Sequence, residues 1–303
     1  LKTYNPEEHQ IVKLITGSRL YGTNTPKSDW DYRGVSKTPL NVVIDPYNRF
    51  EQKDNGFVEE DRVIYDLGKF FKLCGDANPN IIEMLFVPEN MVLLNTNDWK
   101  IIVENRSLFL SKKIKYTFSG YAMSQLNAIR THRTYFINPP KRKPTREDFG
   151  LTDSPKISGD ALNNLFNVSL EFFKDEYVDE IQREREYREA KKRWDNYIAW
   201  YCERNPARKE LEEKFKYDVK HASHLFRLMG EGKELLLTGK ITFPLPNAEE
   251  ILAIKNGIYS YDEVIEKAEQ MDKDFDVWYA KSNLPHSCDR VGITNLYYKL
   301  MGL

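Results

Sequence analysis

Residues 15–35, ITGSRLYGTNTPKSDWDYRGV, decide how the chain is read. A short apolar run, Ile11 to Ile15, leads into a Gly-Ser turn at Gly17-Ser18, and a polar loop follows. The loop ends in two carboxylates, Asp29 and Asp31, with Trp30 and Tyr32 in the alternate positions. Successive side chains of a strand point to opposite faces. Asp29 and Asp31 are therefore expected to project together, and Trp30 and Tyr32 away from them. Two carboxylates converging on one point repel, and one pKa rises unless a cation lies between them. Small Gly17 and Ser18 leave backbone N–H groups open to an anion such as a phosphate. An anion cradle followed by converging carboxylates implies a site for a metal-bound nucleotide.

The spacing of Gly17-Ser18, Gly22-Thr23 and Ser28-Asp29-x-Asp31 resembles the signature of the DNA polymerase β-like nucleotidyltransferase superfamily. It is most similar to one branch, the bacterial and phage nucleotidyltransferases associated with RNA repair and RNA ligases. That likeness lies in Gly-Ser-Arg-x-Tyr-Gly-Thr (17–23) and Ser-Asp-x-Asp-x-Arg-Gly (28–34). Two later runs are similar to the branch as well: Asn78-Pro79-Asn80-x-x-Glu83-x-Leu85-Phe86 and Lys220-His221-x-x-His224-x-x-Arg227-Leu228. The resemblance implies an α+β fold, a small mixed-sheet nucleotidyltransferase domain (1–105) with a C-terminal helical domain (106–303), the nucleotide lying in a cleft between them. It also implies metal-dependent transfer of a nucleoside monophosphate from an NTP to a hydroxyl, with an RNA 3′ end as the favoured acceptor. The alternatives are transfer to a protein side chain or small molecule, or a nucleotide- or RNA-binding module without catalysis.

Such a transfer uses two divalent ions about 3.5–4 Å apart to neutralise charge on both sides of the displacement. Mg²⁺, with Mn²⁺ as a substitute, takes oxygen ligands, and Asp29 and Asp31 are expected to supply them. Asp61 is expected as the third carboxylate, because DRVIYDLGKF (61–70) matches the branch's strand-into-helix segment. Its role would be to hold the second ion and lower the pKa of the attacking hydroxyl. Asp66 competes, but at the end of a strand it reads equally as a helix N-cap; Glu59 and Glu60 stand behind both. Ser18 is expected on a terminal phosphate. Arg19 reads either as a bidentate clamp on the triphosphate or as an ordinary surface arginine. Gly22 suits a tight turn with positive φ, and Thr23, Lys27 and Ser28 are expected as phosphate neighbours. Arg33 is expected to pair with a carboxylate of the site or to be structural.

Lys220, His221, His224 and Arg227 recur at helical spacing. They read as a wall of the cleft gripping phosphate or acceptor (Lys220, His224 and Arg227), or as a polar surface between domains. His221 and His224 lack a Cys or acidic partner spaced for zinc. Asn78, Pro79 and Glu83 are expected to be structural. Arg130, His132, Arg133, Lys141, Arg142, Lys143 and Arg146 form the strongly basic stretch, interleaved by Tyr135 and Phe136. It reads as a solvated Pro-rich loop, or as a strand-binding surface whose rings stack on unpaired bases.

Over 303 residues, 41% hydrophobic and 30% charged side chains describe a soluble globular chain. A formal net charge of −1 excludes a uniformly basic nucleic-acid binder, so any such contact must be a local patch. Cys74, Cys202 and Cys288 are far apart and without CxxC spacing, as expected for reduced thiols in a cytosolic protein; the resemblance implies that the cell is a bacterium or a phage-infected one. No apolar run approaches the ~20 residues that span a bilayer, and the opening LKTYNPEEHQ has no signal-peptide layout. Strands are expected at 10–16, 30–36 and 57–65, with 40–44 a strand or a short helical turn. Helical periodicity dominates from about Arg106, including a helix over 210–229 that ends at Gly230. Oligomeric state and base preference are not encoded in any of these patterns.

Overall fold

The structure, a computed structural model, describes residues 4–26, 28–54, 61–154, 175–204 and 206–303. In chain order the strands are β1 (Gln10–Thr16), β2 (Asp31–Ser36), β3 (Gln52–Asp54), β4 (Asp61–Asp66) and β5 (Val92–Asn95). The first helices are α1 (Gly17–Tyr21), α2 (Leu40–Val43), α3 (Leu67–Gly75), α4 (Pro79–Ile82), α5 (Asn97–Glu104) and α6 (Ile114–Ile137). They are followed by α7 (Asp175–Glu203), α8 (Pro206–Phe215), α9 (Val219–Thr238), α10 (Ala248–Lys255), α11 (Tyr261–Lys281) and α12 (Arg290–Met301). The expected α+β class holds: a mixed sheet in the N-terminal part, helices thereafter.

The sheet has the order β3-β4-β2-β1-β5. Only β2 and β4 run parallel; β1 pairs antiparallel with β2 and β5, and β3 antiparallel with β4. Ile11, Val12, Leu14, Ile15 and Thr16 of β1 are all buried. A strand covered on both faces reads as a continuous apolar run rather than an alternation, and β1 does. The register sets the site, placing Asp31 opposite both Thr16 and Asp61.

Two compact units emerge: Leu1–Ile129 with Asp218–Leu303, and Arg130–Tyr217. The described strands all end by Asn95, so the division expected at 105/106 follows secondary structure and does not coincide with the compact units. In the first unit, α9 to α12 belong with the sheet. Phe70, Phe109, Phe118, Phe226 and Phe275 are fully buried there. In the second unit, Tyr135 packs on Trp200 and Tyr197 with ring centroids 5.0 and 5.3 Å apart.

Of the two forms expected at 40–44, the helical turn is seen, at Leu40–Val43. Other elements depart from the sequence expectation. The strand expected at 57–65 is seen at Asp61–Asp66; Glu59 and Glu60 lie outside the described residues. The helix expected to stop at Gly230 starts at Val219 and runs on to Thr238, capped by left-handed Gly239. Gly230 and Gly232 are close-packing positions, not stop signals. A Cβ on Gly230 would stand 2.9 Å from the Asn247 amide, and one on Gly232 2.8 Å from the Phe275 ring and 3.0 Å from Phe118 Cβ. The helix drops these side chains so that α11 and α6 can approach.

Gly232→Ala is therefore expected to destabilise by about 1–3 kcal/mol through overpacking. Gly120→Ala, within α6 and with nothing within 4 Å of the added methyl, should stabilise by about 0.5–1 kcal/mol. Urea denaturation of both variants checks the contrast, and equal effects would show that close approach is not what the glycine serves.

Candidate active site

Parallel pairing of β2 with β4 puts Asp31 and Asp61 side by side, and paired residues project to the same face of a sheet. Asp31 is half-buried and lies against Gly17. A Cβ on residue 17 would come within 1.8 Å of Asp31 Oδ2, and Gly17 has a φ of +66°. Glycine is needed there for both the left-handed turn and the carboxylate's approach. The Thr16 hydroxyl donates to the Asp31 carbonyl at 3.3 Å, tying the turn to β2. Burial pushes the Asp31 carboxyl up from its ordinary range. Asp61, within hydrogen-bonding reach, adds to the rise and Asp29 contributes least, while Arg33 opposes it.

Arg33 forks onto Asp61, Nη1 to Oδ1 at 3.2 Å and Nη2 to Oδ2 at 3.4 Å. Although burial works against its charge, Asp61 keeps Arg33 protonated, above its ordinary pKa. The expected carboxylate pairing of Arg33 is thus observed. Asp66, the competitor for third carboxylate, caps α3 by accepting from the Gly68 and Lys69 amides at 2.8 and 3.2 Å. It is buried, and five residues beyond Asp61 it falls on the other face of β4.

Asp29 departs from the expected geometry. β2 begins only at Asp31, so Asp29 sits on the preceding loop, exposed, and strand alternation does not aim it. Its loop is held by Arg19, which donates to the Ser28 carbonyl at 2.8 Å and the Asp29 carbonyl at 3.3 Å. The Arg19 guanidinium also lies 3.9 Å over the Trp30 ring. Trp30 stacks on Tyr32 at 6.3 Å and 7°, and Lys13 caps Tyr32 at 4.5 Å. Arg19 is thus a strut for the carboxylate loop, rather than either of its two expected forms, a triphosphate clamp or an ordinary surface arginine.

Other expected phosphate neighbours are also occupied. Thr23 is buried, its amide and hydroxyl turned to the Ser18 carbonyl at 2.9 and 3.5 Å. Ser28 Oγ accepts from the Thr25 amide at 2.8 Å and closes a turn. Gly22 has the expected positive φ, +73°, with Pro244 packed where its Cβ would be. Ser18, half-buried in α1, stays beside Gly17 at the carboxylates. Lys27 lies outside the described residues.

The donor set of Asp29, Asp31 and Asp61 is all oxygen, the kind Mg²⁺ selects. The raised Asp31 pKa marks the crowding that a cation relieves. Asp31 and Asp61 are paired side by side, but Asp29, Asp31 and Asp61 do not bring three carboxylate oxygens within 4.8 Å of one another.

Three of the four motif runs, 17–23, 78–86 and 220–228, meet elsewhere, in a buried polar cluster. Arg227 Nη1 donates to Glu83 at 3.0 Å and to both oxygens of Glu231 at 3.1 and 3.2 Å, and Nη2 to Asn80 Oδ1 at 3.0 Å. Tyr21 Oη donates to Glu83 at 2.9 Å, its ring 4.9 Å from the guanidinium. Arg227, Glu83 and Glu231 are 5%, 3% and 0% exposed, so Arg227 does not face a phosphate and its expected role is corrected. Burial works against the Arg227 charge, but Glu231, Tyr21 and Glu83 hold it firmly protonated. Burial also raises both glutamates, Glu231 to about 8, so the pair shares a proton at neutral pH. Glu83 is structural, as expected. Glu231 was missed, though its i,i+4 relation to Arg227 was a readable signal.

His224 is half-buried. Desolvation, then the charges of Arg227 and Lys220, push its pKa down to about 3, leaving a neutral imidazole. Lys220 is exposed, and its amide, with that of His221, is capped by Asp218 at 3.0 and 2.9 Å.

In the second unit the basic stretch is partly neutralised. Arg142 forks onto Asp148 at 2.6 and 2.9 Å, and Arg146 pairs with Glu184. Tyr135 is buried and Phe136 packs edge-on against Trp200 at 5.2 Å, so these rings form an internal cluster rather than a free stacking surface. Lys141 and Lys143 remain exposed. Among the described residues no helix is long and apolar enough to cross a membrane.

Residues 4–138 match the sequence model of a family described as the RNA repair pathway DNA polymerase beta family. A phage T4 protein, described as an uncharacterized 38.9 kDa protein in the nrdC-mobD intergenic region, is 32% identical over 125 residues. The match covers 38% of this chain and 37% of the relative's length. No solved structure matches the chain.

The buried cluster generates a pH dependence. Glu231 keeps its proton up to about pH 8 in the fold, against 4.5 as an ordinary glutamate. Between those values only the folded chain binds the proton, so this contribution to stability is full below 4.5 and lost as pH rises towards 8. For His224, ordinarily 6.5 and here about 3, the contribution is present above 6.5 and lost as pH falls towards 3. The two slopes oppose each other between 4.5 and 6.5. Stability should therefore decline from pH 6.5 to 8, by at most about 1.4 kcal/mol per pH unit. Urea midpoints across that range should show the decline in the native chain and its loss in Glu231→Gln. Arg227→Met, stranding two buried carboxyls, should cost about 3–5 kcal/mol at neutral pH.

Proposed function

We propose that this chain, whose residues 4–138 match the RNA repair pathway DNA polymerase beta family, transfers a nucleoside monophosphate from an NTP to a hydroxyl acceptor. The polymerase β-like family supports a nucleotidyltransferase of that kind. The observation that carries the reading is the pairing of Asp31 with Asp61 in parallel register, Asp31 pressed onto Gly17. A protein gains no stability from crowding two half-buried carboxylates, whereas a metal-nucleotide site requires it.

Asp29, Asp31 and Asp61 would hold one or two Mg²⁺ ions, with Mn²⁺ as a substitute. Bound there, the ions supply charge neutralisation for an in-line displacement at the α-phosphorus. The acceptor oxygen bonds to the α-phosphorus as the bond to the bridging oxygen breaks and pyrophosphate leaves. Asp61 takes the acceptor's proton, its carboxylate plane set by the Arg33 fork. Ser18 and the first amides after the Gly17 turn receive the phosphates. Arg19, through the Ser28 and Asp29 carbonyls, keeps the Asp29 loop in place. The description of the family by RNA repair makes an RNA 3′ hydroxyl the acceptor of choice.

The test offers α-labelled NTPs one base at a time, with Mg²⁺ or Mn²⁺, to an RNA bearing a 3′ hydroxyl, to total protein, or to no acceptor. Label on the RNA is expected, reduced at least about a hundredfold by Asp31→Asn or Asp61→Asn. Asp66→Asn should stay within about twofold, since Asn caps a helix as well as Asp does. Label on protein would move the acceptor to a side chain. Incorporation untouched by Asp31→Asn, or no label together with no metal-dependent NTP binding, would sink the reading.

A further inference from the structure

A cavity of about 200 Å³, sharing no lining residue with the carboxylate centre, opens beside the C-terminal end of α3, the start of α6, the end of α11 and the start of α12. Lys112, Lys113, His286 and Arg290 line it together with Tyr116 and Tyr279, and no Asp or Glu does. Lys113 is partly neutralised by Asp76 at 2.7 Å. Lys112 lies 5.1 Å over the Tyr279 ring, and its amide donates to the Pro285 carbonyl at 2.8 Å, fixing the 285–288 segment over the cavity. Among the described residues neither Lys112 nor Arg290 has a carboxylate partner. Tyr116 meets Tyr279 edge-on at 6.0 Å and is 61% exposed.

Cations gathered in a concavity, with only Lys113 of Lys112, Lys113 and Arg290 paired to a carboxylate, raise its potential and select an anion, phosphate above all for a guanidinium and ammonium set. A carboxylate-free wall with exposed aromatic rings adds a surface on which a planar base stacks. From this combination we infer that the cavity is a second binding site for a nucleotide unit. Its phosphate sits between Lys112 and Arg290, with Lys113 and His286 at the margin, and its base lies against Tyr116. The unit has two possible sources, a free nucleotide or one nucleotide of an unpaired strand. The proposal does not rest on transfer chemistry, since none of the lining residues belongs to the carboxylate centre.

The experiment uses the full chain in EDTA, so that nucleotide binding through divalent ions does not contribute. Fluorescence anisotropy follows a labelled single-stranded oligoribonucleotide of about ten nucleotides, with AMP as competitor. The double variant Lys112→Glu/Arg290→Glu should weaken binding about tenfold or more, and Tyr116→Ala about fivefold or more. Lys141→Glu/Lys143→Glu, on the exposed basic stretch of the other unit, should change it less than about twofold. Displacement by AMP assigns the site to free nucleotides, and strand binding that millimolar AMP leaves intact assigns it to a strand. Unchanged affinity in both cavity variants, each shown folded by circular dichroism, or no binding of either probe to the native chain, overturns the inference.

Discussion

One guanidinium, sealed between two glutamates, holds the Gly-Ser segment to the rest of its unit. Arg227 of α9 reaches Glu83 and Asn80 beyond α3 and lies on Tyr21 at the end of the Gly-Ser helix. Breaking such a pair leaves a buried charge uncompensated, which is why the cluster is worth more as a latch than as a sum of contacts. With one cation for two carboxyls, burial forces the glutamates to share a proton. Three runs of sequence that look unrelated along the chain are thereby one structural device, and helices from residues 218–303 become part of the sheet-bearing unit.

The candidate active site follows the opposite logic. There the protein places like charges together and leaves them incompletely compensated. Arg33 answers Asp61 with a long fork, while Asp31, against Gly17, keeps a raised pKa. That residual strain is the room a divalent ion would fill. Around it the supporting residues are spent on backbone: Arg19 on the Ser28 and Asp29 carbonyls, Thr23 on the Ser18 carbonyl, Asp66 on the first amides of α3. Several polar side chains that spacing alone would aim at a phosphate thus serve to hold the loop that carries Asp29.

Much of this was legible in the residues. β1 announced itself as an apolar run because it is covered on both faces, whereas Asp61 and Asp66 were separated only by the observed strand and by the cap that Asp66 makes on α3. Glycine was the poorest guide. Gly239 ends α9, but Gly230 and Gly232 lie inside it, because what they accommodate, Asn247, Phe275 and Phe118, is distant in sequence. Asp29 was misjudged in a related way: its parity with Asp31 holds only within a strand, and the strand starts two residues later.

By itself the sequence determined the apolar first strand, the Gly-Ser turn and the Asp-x-Asp run, since these depend on local conformation along one segment, while the α+β class was implied by the resemblance. Only the tertiary structure decided which charged groups are spent. Arg19 and Arg227 carry the same guanidinium as Arg33, yet one braces a loop, one is buried as a latch and one orients a carboxylate. Spacing gives a side chain its direction on its own element; its partner comes from the element packed across from it, and partner and burial together set its charge and its use.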